Sequence, residues 1–373
     1  MRKLGNYLHE TNWLLCATHG GYFTGRKQMK PTPVNPSRTM TRRDAIKKTI
    51  LFSTSLWALA GASELRAQAP ATKFPEGGLD FLAMGDFGSG NAVQRAVAAQ
   101  MADFAKKLER PLTGVFAMGD NFYGKLTPER FAPHFEEMYS KEHLDFPFYA
   151  CLGNHDYGPS YDSKQGPAKA QMQLDYAKNN PSSRWKMPAK WYAEEFPDAA
   201  NPLLKVIFLD GSMFEGALTP KEKIDQKRFL EAEIAKNTAA KWRWIVCHYP
   251  LFSEGVHHDN ARLIAEWGPL LNKHNISLYV AGHDHNLQHL QVDGYKNNFV
   301  VSGSAGASLY PIKRSGRGFA QKISGFVHIH VGADSFEVQY ITSTGDCLHA
   351  FRRTQAGKTD TIIANGNGKR QKA

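Results

Sequence analysis

The feature that most constrains this chain is a repeated arrangement, in which a short apolar run ends in a residue able to bind a metal ion. Five such runs occur, and they end at Asp86, Asp120, Asn154, His248 and the pair His283 and His285. In open α/β sheets, ligands bind beyond the carboxyl ends of the strands. The arrangement therefore predicts one site to which five strand ends contribute.

Local sequence at these ends supports the prediction. His283 and His285 follow a strand-like run at 276–280, and side chains two positions apart on a strand share a face. Glycine lets a chain turn sharply and present the next side chain. It directly precedes the first three candidate ligands of the chain, in Gly85-Asp86, Gly119-Asp120 and Gly153-Asn154.

The order of the predicted elements favours an α/β fold. Helix patterns alternate with strand patterns up to residue 281, at 91–108, 128–139, 168–178, 219–236 and 260–272. Strand patterns without helices follow, at 287–292, 299–302, 325–331 and 336–342. An alternating half followed by a β-rich half predicts a four-layer α/β/β/α sandwich, with two stacked mixed sheets flanked by helices.

The distribution of charge argues against a nucleic-acid partner. The 373-residue chain has a formal net charge of +11, but residues 1–67 hold eleven Lys or Arg against three Asp or Glu. Residues 354–373 hold four against one, which leaves 31 of each kind in the middle. We therefore expect a neutral catalytic domain at 70–353 and a disordered polar tail at 354–373, without a basic groove.

Residues 1–69 are predicted to be an N-terminal extension that ends in an export signal. Arg42 and Arg43 form a twin-arginine pair, 50–62 is a modest apolar stretch, and 67–69 offers small residues for cleavage. The apolar stretch is shorter than the roughly 20 residues of a spanning helix. We expect twin-arginine export to the periplasm or medium, a mature start near 68–70, and residues 1–39 to be an over-called start.

The cysteines give little information about function. Cys151 and Cys247 lie in strand-like runs just before candidate ligands, which favours buried thiols. A disulfide between them remains an alternative in an oxidising compartment. Cys347 has no evident partner in the sequence.

The residue types at the strand ends indicate the chemistry. Carboxylate, carboxamide and imidazole donors together suit ions such as Fe, Zn and Mn. The chain has no Cys-x-x-Cys pair of the kind that holds structural zinc. The donors are too many for one tetrahedral site and suit two ions that share a carboxylate. Two ions about 3.5–4 Å apart form the usual clamp for displacement at phosphorus.

Five sequence blocks make the resemblance to a known family specific. They are Gly85-Asp86-Phe87-Gly88, Gly119-Asp120-Asn121-Phe122-Tyr123, Gly153-Asn154-His155-Asp156, Val246-Cys247-His248-Tyr249-Pro250 and Gly282-His283-Asp284-His285. In this order they resemble the blocks of the calcineurin-like metallophosphoesterases. The form of 282–290 is similar to the small, tartrate-resistant type of purple acid phosphatase.

One exchange of residues carries the narrower resemblance. Most of that superfamily has Asp-x-His in the first block, whereas this chain has Gly88 in place of the histidine. Tyr123 stands where purple acid phosphatases supply a phenolate, a hard anionic donor that favours Fe(III). The resemblance implies Fe(III) at a first position with Asp86, Tyr123 and His285.

The resemblance also implies a second position and a bridging ligand. Asn154, His248 and His283 would hold Fe(II), Zn or Mn, and Asp120 would bridge the two ions. Such ligands are often oriented by further groups, for which the adjacent Asp156 and Asp284 are candidates.

Two histidines match family positions near the phosphate. His155 follows Asn154, and His257 lies nine residues after His248. His258 is an alternative to His257. Either histidine could bind a phosphate oxygen or protonate the leaving alkoxide.

The expected function is an exported acid phosphatase with a binuclear metal centre, in which metal-activated hydroxide attacks a phosphate monoester directly. We expect small phosphoester substrates, a monomer and no stable membrane insertion. One alternative is a phosphodiesterase or nucleotidase on the same scaffold, with pocket walls at 158–190 and 303–318. A remoter alternative is a metal- or phosphate-binding protein without catalysis.

Overall fold

The computed structural model describes residues 77–158, 166–212, 217–313 and 316–363, all of which belong to one compact unit. The expected export signal and the whole of the N-terminal extension at 1–69 lie outside these ranges. Within them, the model contains no helix with the length and apolar character needed to span a membrane.

The first of two mixed sheets has eight strands in the order β15-β14-β13-β12-β1-β2-β3-β4. Its strands are β1 (Leu79–Met84), β2 (Gly114–Met118), β3 (Phe148–Cys151), β4 (Trp185–Lys186), β12 (Gly325–Val331), β13 (Ser335–Thr342), β14 (Cys347–Thr354) and β15 (Thr359–Ile363). The strands β1 to β4 are parallel, and the remaining pairs are antiparallel.

The second sheet has seven strands in the order β11-β9-β10-β8-β7-β6-β5. Its strands are β5 (Tyr192–Phe196), β6 (Leu204–Leu209), β7 (Trp242–Cys247), β8 (Leu278–Ala281), β9 (Leu287–Leu290), β10 (Asn298–Ser302) and β11 (Gly318–Gln321). The strands β6, β7, β8 and β10 are parallel, so their carboxyl ends lie at one edge.

Five α-helices occur in the described residues. They are α1 (Ala92–Lys107), α2 (Lys141–Leu144), α3 (Pro167–Asn179), α4 (Pro220–Ala235) and α5 (Ala261–Lys273). Helix α4 begins with a capping box, since the Thr219 hydroxyl accepts from Glu222 N–H while the Glu222 carboxylate accepts from Thr219 N–H. The sequence predicted this start, and it is confirmed.

The main core lies between the two sheets. Phe81 of β1 stacks on Phe116 of β2 with ring centroids 4.7 Å apart. Phe116 then meets Phe208 of β6 at 5.7 Å, edge to face, which joins one sheet to the other. A separate cluster lies on the other face of the second sheet, where Leu230 of α4 and Leu263 of α5 are buried. The predicted layers of two sheets and flanking helices are confirmed.

The prediction of one continuous helix at 128–139 was wrong. The helix expected at 128–139 is a short 3₁₀ turn, Pro128–Arg130, followed by a π-helical turn, Ala132–Glu136. Pro133 has no N–H to donate, and the wider turn closes through Glu137 N–H and the Ala132 carbonyl at 2.9 Å.

The tail is ordered further than its polar composition indicated. Residues 359–363 form β15, which pairs with β14 as an edge strand, and the Ile363 side chain is buried. A short alternation of polar and apolar residues is enough to extend a sheet that already exists. Residues 364–373 lie outside the described ranges.

Two cysteines and two histidines are buried in the core. Cys151 and Cys247 are free and buried, and burial raises the pKa of both thiols. His328 and His330 contact the buried Asp80 at 2.9 and 3.1 Å. Both imidazole rings therefore lie in the core, beside a buried carboxylate.

Candidate metal centre

The candidate ligands come together where the two sheets present their carboxyl edges. Asp86, Asp120 and Asn154 follow β1, β2 and β3 of the first sheet. His248 and His283 follow β7 and β8 of the second. Each parallel strand ends at this edge, so the backbone directs side chains from both sheets into the space between them.

Three of these residues have an unusual backbone conformation. The φ angles of Asp86, Asp120 and His283 are 57°, 51° and 68°. Residues other than glycine rarely adopt this left-handed region, and such strain persists only where the surrounding structure holds it. Its presence at three candidate ligands indicates that the strand ends are shaped by the site.

Backbone N–H groups from neighbouring loops fix the two carboxylates. Asp86 Oδ2 accepts from the His283 N–H at 2.7 Å, which links the first sheet to the second. Asp120 Oδ1 accepts from the His155 N–H at 2.8 Å. Each carboxylate therefore has a defined orientation, and its second oxygen faces the other donors.

One group of donors surrounds the Tyr123 hydroxyl. This oxygen lies 3.5 Å from Asp86 Oδ1 and 3.5 Å from His285 Nε2. His285 Nε2 lies 3.2 Å from Asp86 Oδ1. Asp86, Asp120 and His285 each offer a donor atom within 4.8 Å of the others, which is close enough for one ion.

A second group surrounds the His248 ring. His248 Nε2 lies 3.0 Å from Asn154 Oδ1 and 3.1 Å from His283 Nδ1. All three atoms carry lone pairs suited to a borderline divalent ion.

Asp120 lies between the two groups. Its Oδ2 is 3.2 Å from the Tyr123 hydroxyl, and its Oδ1 is 3.6 Å from His248 Nε2. The side chain is 1% exposed, so water does little to screen its charge. Its two oxygens face different sets of donors, as a carboxylate shared by two ions must.

Hydrogen bonds made by the far side of two rings explain why the donor atoms fit a metal. His248 Nδ1 lies 2.8 Å from the Met118 carbonyl, so it carries a proton. In the neutral ring, Nε2 then presents a lone pair to Asn154 Oδ1, which is also an acceptor. His285 repeats the pattern, with Nδ1 2.7 Å from the Ser308 carbonyl and Nε2 facing Asp86. A cation satisfies both pairs of facing acceptors.

The pKa values follow from burial and from this crowding. Burial lowers the pKa of His285, but the hydrogen bond and charge of Asp86 outweigh that effect and raise it. A proton therefore competes with a metal ion for this ring. Burial and the neighbouring rings, His248 first, hold the pKa of His283 well below its usual range, so His283 stays neutral.

Tyr123 needs a nearby cation to act as a phenolate. Burial, followed by the charges of Asp120 and Asp86, raises its pKa well above 10. A bound metal ion would instead lower the Tyr123 pKa, because its positive charge exceeds the negative charge of each neighbouring carboxylate. A metal cation fits such a donor set, in which two carboxylates already meet the phenol.

The geometry around Gly88 explains why no side chain occurs there. A Cβ at this position would lie 2.1 Å from the Asn121 carbonyl oxygen, because the two loops are in contact. Gly88 N–H donates to the Asp120 carbonyl, and its own carbonyl accepts from the Tyr123 N–H at 2.9 Å. The missing side chain at residue 88 thus allows the loop that carries Tyr123 to approach.

The two candidate catalytic histidines contact different donor groups. The His155 ring is 4.6 Å from the Tyr123 ring, and its Nε2 is 3.9 Å from Asp120 Oδ2. The His257 ring stacks on His283 at 4.0 Å. His258 is exposed, as His257 is, and has a φ of 59°, but the ring that stacks on the candidate ligand His283 is that of His257. Position therefore favours His257 over His258.

Asp156 and Asp284 lie behind the donors rather than among them. Asp156 accepts from the Gly153 N–H at 2.9 Å and the Asn121 N–H at 3.0 Å, so it holds two ligand loops. Burial and the charge of Asp120 raise the Asp156 pKa to about 6. Asp284 accepts from the Ser253 hydroxyl and, at 3.4 Å, from the His257 N–H.

Sequence reasoning did not identify Tyr310. Its ring stacks on His285 at 3.9 Å and lies 5.5 Å from the His257 ring. It belongs to the 303–318 segment, which was predicted to be a pocket wall. An aromatic residue in that segment was the available signal, but nothing in the sequence indicated which ring it would contact.

Sequence reasoning did not identify Arg317 either. Its side chain holds the segment that carries His257 in place through hydrogen bonds. Its Nε donates to Glu254 Oε1 at 2.5 Å, and its two terminal nitrogens donate to the Asp259 carboxylate at 3.0 and 2.9 Å. It also donates to the Ser253 carbonyl at 3.1 Å. The fork geometry of arginine suits this bidentate contact.

Arg317→Ala should loosen the 253–258 segment. The change leaves the buried Glu254 carboxylate without this partner, at a cost of about 1.5–3 kcal/mol for a charged hydrogen bond. Amide hydrogen exchange in the segment should accelerate roughly 10- to 100-fold by the same estimate. Arg262→Ala, which removes an exposed ion pair to Glu266, is the control. Equal amide hydrogen exchange in the Arg317→Ala and Arg262→Ala variants would show that Arg317 does not hold the 253–258 segment in place.

Comparison with known proteins gives consistent matches. Residues 79–287 match the family described as calcineurin-like phosphoesterase. Purple acid phosphatase 17 of Arabidopsis thaliana is 30% identical over 243 residues, which cover 61% of this chain and 69% of that protein. Tartrate-resistant acid phosphatase type 5 of Rattus norvegicus is 28% identical over 310 residues, or 74% and 90% of the two chains.

Solved structures share the fold. GAP50, the anchor in the inner membrane complex of Plasmodium, has a TM-score of 0.61 and 22% identity over 79% of this chain and 90% of that one. A purple acid phosphatase from yellow lupin seeds has a TM-score of 0.57 and 16% identity over 74% and 54%. At these identities the likeness concerns the fold alone.

Proposed function

We propose that this chain, which belongs to the calcineurin-like phosphoesterase family and within it to the purple acid phosphatases, hydrolyses phosphate monoesters at a centre of two metal ions. The observation that carries the proposal is the position of Asp120. Its two oxygens face two separate donor groups, one around Tyr123 and one around His248. Two ions that share a carboxylate suit displacement at phosphorus.

The proposed ligands fall into the two groups that the distances between donor atoms define. The first position takes Asp86, Tyr123 and His285, and we assign it Fe(III) because a phenolate and carboxylates are hard anionic donors. The second takes Asn154, His248 and His283 and would hold Fe(II), Zn or Mn. Asp120 would be shared by both positions.

The ions, when bound, supply positive charge that makes water a better nucleophile and offsets charge on the phosphate oxygens. The residues of the chain orient the ester. His155, which is half-buried, and His257, which is exposed, lie at the edge of the donor groups, where each can reach a substrate that enters from solvent.

Either histidine can protonate the departing alkoxide. In the absence of an ion, burial lowers the pKa of both His155 and His257, and the charges of Asp120 and Asp284 respectively act in the opposite direction. A phosphate dianion beside these rings would raise these lowered pKa values again and favour the protonated forms. This is the basis for proposing an acid phosphatase.

A panel of phosphoesters across pH is the direct test. The purified protein should hydrolyse a generic aryl monoester faster than the matched diester, and most rapidly at acidic pH. Asp120→Ala should lose both ions by metal analysis and lose turnover, because the bridge serves both positions. Asp293→Ala, at an exposed aspartate, is the control. A faster diester reaction would favour the phosphodiesterase alternative, and two ions retained in Asp120→Ala would refute the bridge.

Colour tests the first position separately. A phenolate bound to Fe(III) absorbs visible light by charge transfer, so the iron-loaded protein should be coloured and Tyr123→Phe should be colourless at equal iron content. Tyr310→Phe should keep the colour, because Tyr310 stacks on His285 without joining the donor group. A coloured Tyr123→Phe protein, or a colourless active iron enzyme, would exclude Tyr123 as ligand.

The proposed location is the periplasm or the medium, reached by the twin-arginine pathway. This rests on Arg42, Arg43 and the apolar stretch at 50–62. N-terminal sequencing of exported protein should begin near residue 68–70, and a product that begins at residue 1 or 2 would contradict the proposal. Arg42→Lys with Arg43→Lys should leave the protein in the cytoplasm, since that pathway reads the arginine pair.

A further inference from the structure

Helix α3 presents a buried lysine to the back of the metal centre. Lys169 is 1% exposed, although it lies in a helix with little apolar sequence. Its Nζ donates to the Phe122 carbonyl at 2.6 Å and to the His155 carbonyl at 2.5 Å. These carbonyls belong to two different loops, one after β2 and one after β3.

Gln173 makes a parallel link one turn further along the helix. Its Nε2 donates to Asp156 Oδ1 at 2.9 Å, and its Oε1 accepts from Asn121 Nδ2 at 3.0 Å. Residues four apart share a helix face. Helix α3 thus holds the same two loops through Lys169 and Gln173, on one buried face.

The two loops carry ligands for different positions. Tyr123 follows Phe122 directly and belongs to the first donor group. Asn154 precedes His155 directly and belongs to the second. Because Lys169 bridges Phe122 and His155, it fixes the distance between the two groups from behind.

Within the part of the chain that the structure describes, both hydrogen bonds of the Lys169 ammonium group go to carbonyl oxygens rather than to a carboxylate. Burial lowers the pKa of Lys169, while Asp156 and then Asp120 act in the opposite direction. Burying an ammonium group costs free energy that packing alone does not return. A methionine would fill the same space without that cost, so the lysine contributes something other than packing.

We propose that Lys169 is a positioning residue, which sets the spacing of the two metal positions by holding the Tyr123 loop against the His155 loop. The expected change in turnover rests on the proposed function. The expected change in metal retention does not depend on it.

The test compares Lys169→Met with wild type and with Lys178→Met, an exposed lysine on the same helix. Thermal unfolding, metal retention against a chelator, and kcat and KM for an aryl monoester are measured on the metal-loaded proteins. Lys169→Met should lose metal roughly 10- to 100-fold more readily, in line with other groups that orient ligands. Its kcat should fall by a similar factor while KM changes little, and Lys178→Met should match wild type.

A milder variant covers the case in which Lys169→Met does not fold. Lys169→Gln keeps a donor group but is too short to reach both carbonyls, and it should show a smaller loss of metal in the same direction. Wild-type metal retention in a folded Lys169 variant would overturn the proposal, as would lower thermal stability with unchanged retention. If wild type itself turns over no phosphoester, the proposed function fails, while the retention measurement still decides the role of Lys169.

Discussion

The convergence of lone pairs around Asp120 is the constraint on which the rest of the site depends. Facing acceptors such as His248 Nε2 and Asn154 Oδ1, 3.0 Å apart, repel each other unless a cation or a proton lies between them. Burial strengthens that repulsion because water does not screen it. The fold must therefore hold such groups against their own electrostatics. It does so with backbone contacts, such as the His283 N–H bound to Asp86.

The two-sheet architecture makes this possible. Asp86 and Asp120 adopt left-handed φ angles at the ends of buried parallel strands, where neither strand can shift without breaking its ladder. The aromatic contact between Phe116 and Phe208 fixes one sheet relative to the other. Strain at the strand ends is thus offset by a core that resists relaxation.

Much of the fold was readable because its strands are buried on both faces. The apolar runs that were expected to end at Asp86, Asp120 and His248 are the strands β1, β2 and β7 of the structure. The prediction of a helix at 128–139 was wrong because the spacing of apolar residues does not account for the backbone hydrogen bond that Pro133 removes. The edge strand β15 was not predicted because it forms by pairing with β14, and its own sequence does not indicate that pairing.

The site divides in the same way. Candidate ligands were readable because they follow strands directly, and strand ends of a parallel sheet meet at one edge. Tyr310, Arg317 and Lys169 act through contacts that chain order does not encode. Lys169 is the clearest case, since a lysine in a polar helix ordinarily faces solvent, and only the packing of α3 on two loops buries it.

The exchange between Gly88 and Tyr123 has a steric as well as a chemical side. From sequence, a missing ligand at one position and a phenol at another looked like a substitution of donors. The close approach of Gly88 to the Asn121 carbonyl adds a reason why the two changes belong together. Any side chain at residue 88 would push away the loop that brings Tyr123 to Asp120. A histidine at 88 and the proposed tyrosine ligand at 123 are therefore competing solutions in this backbone, and the chain can use one of them.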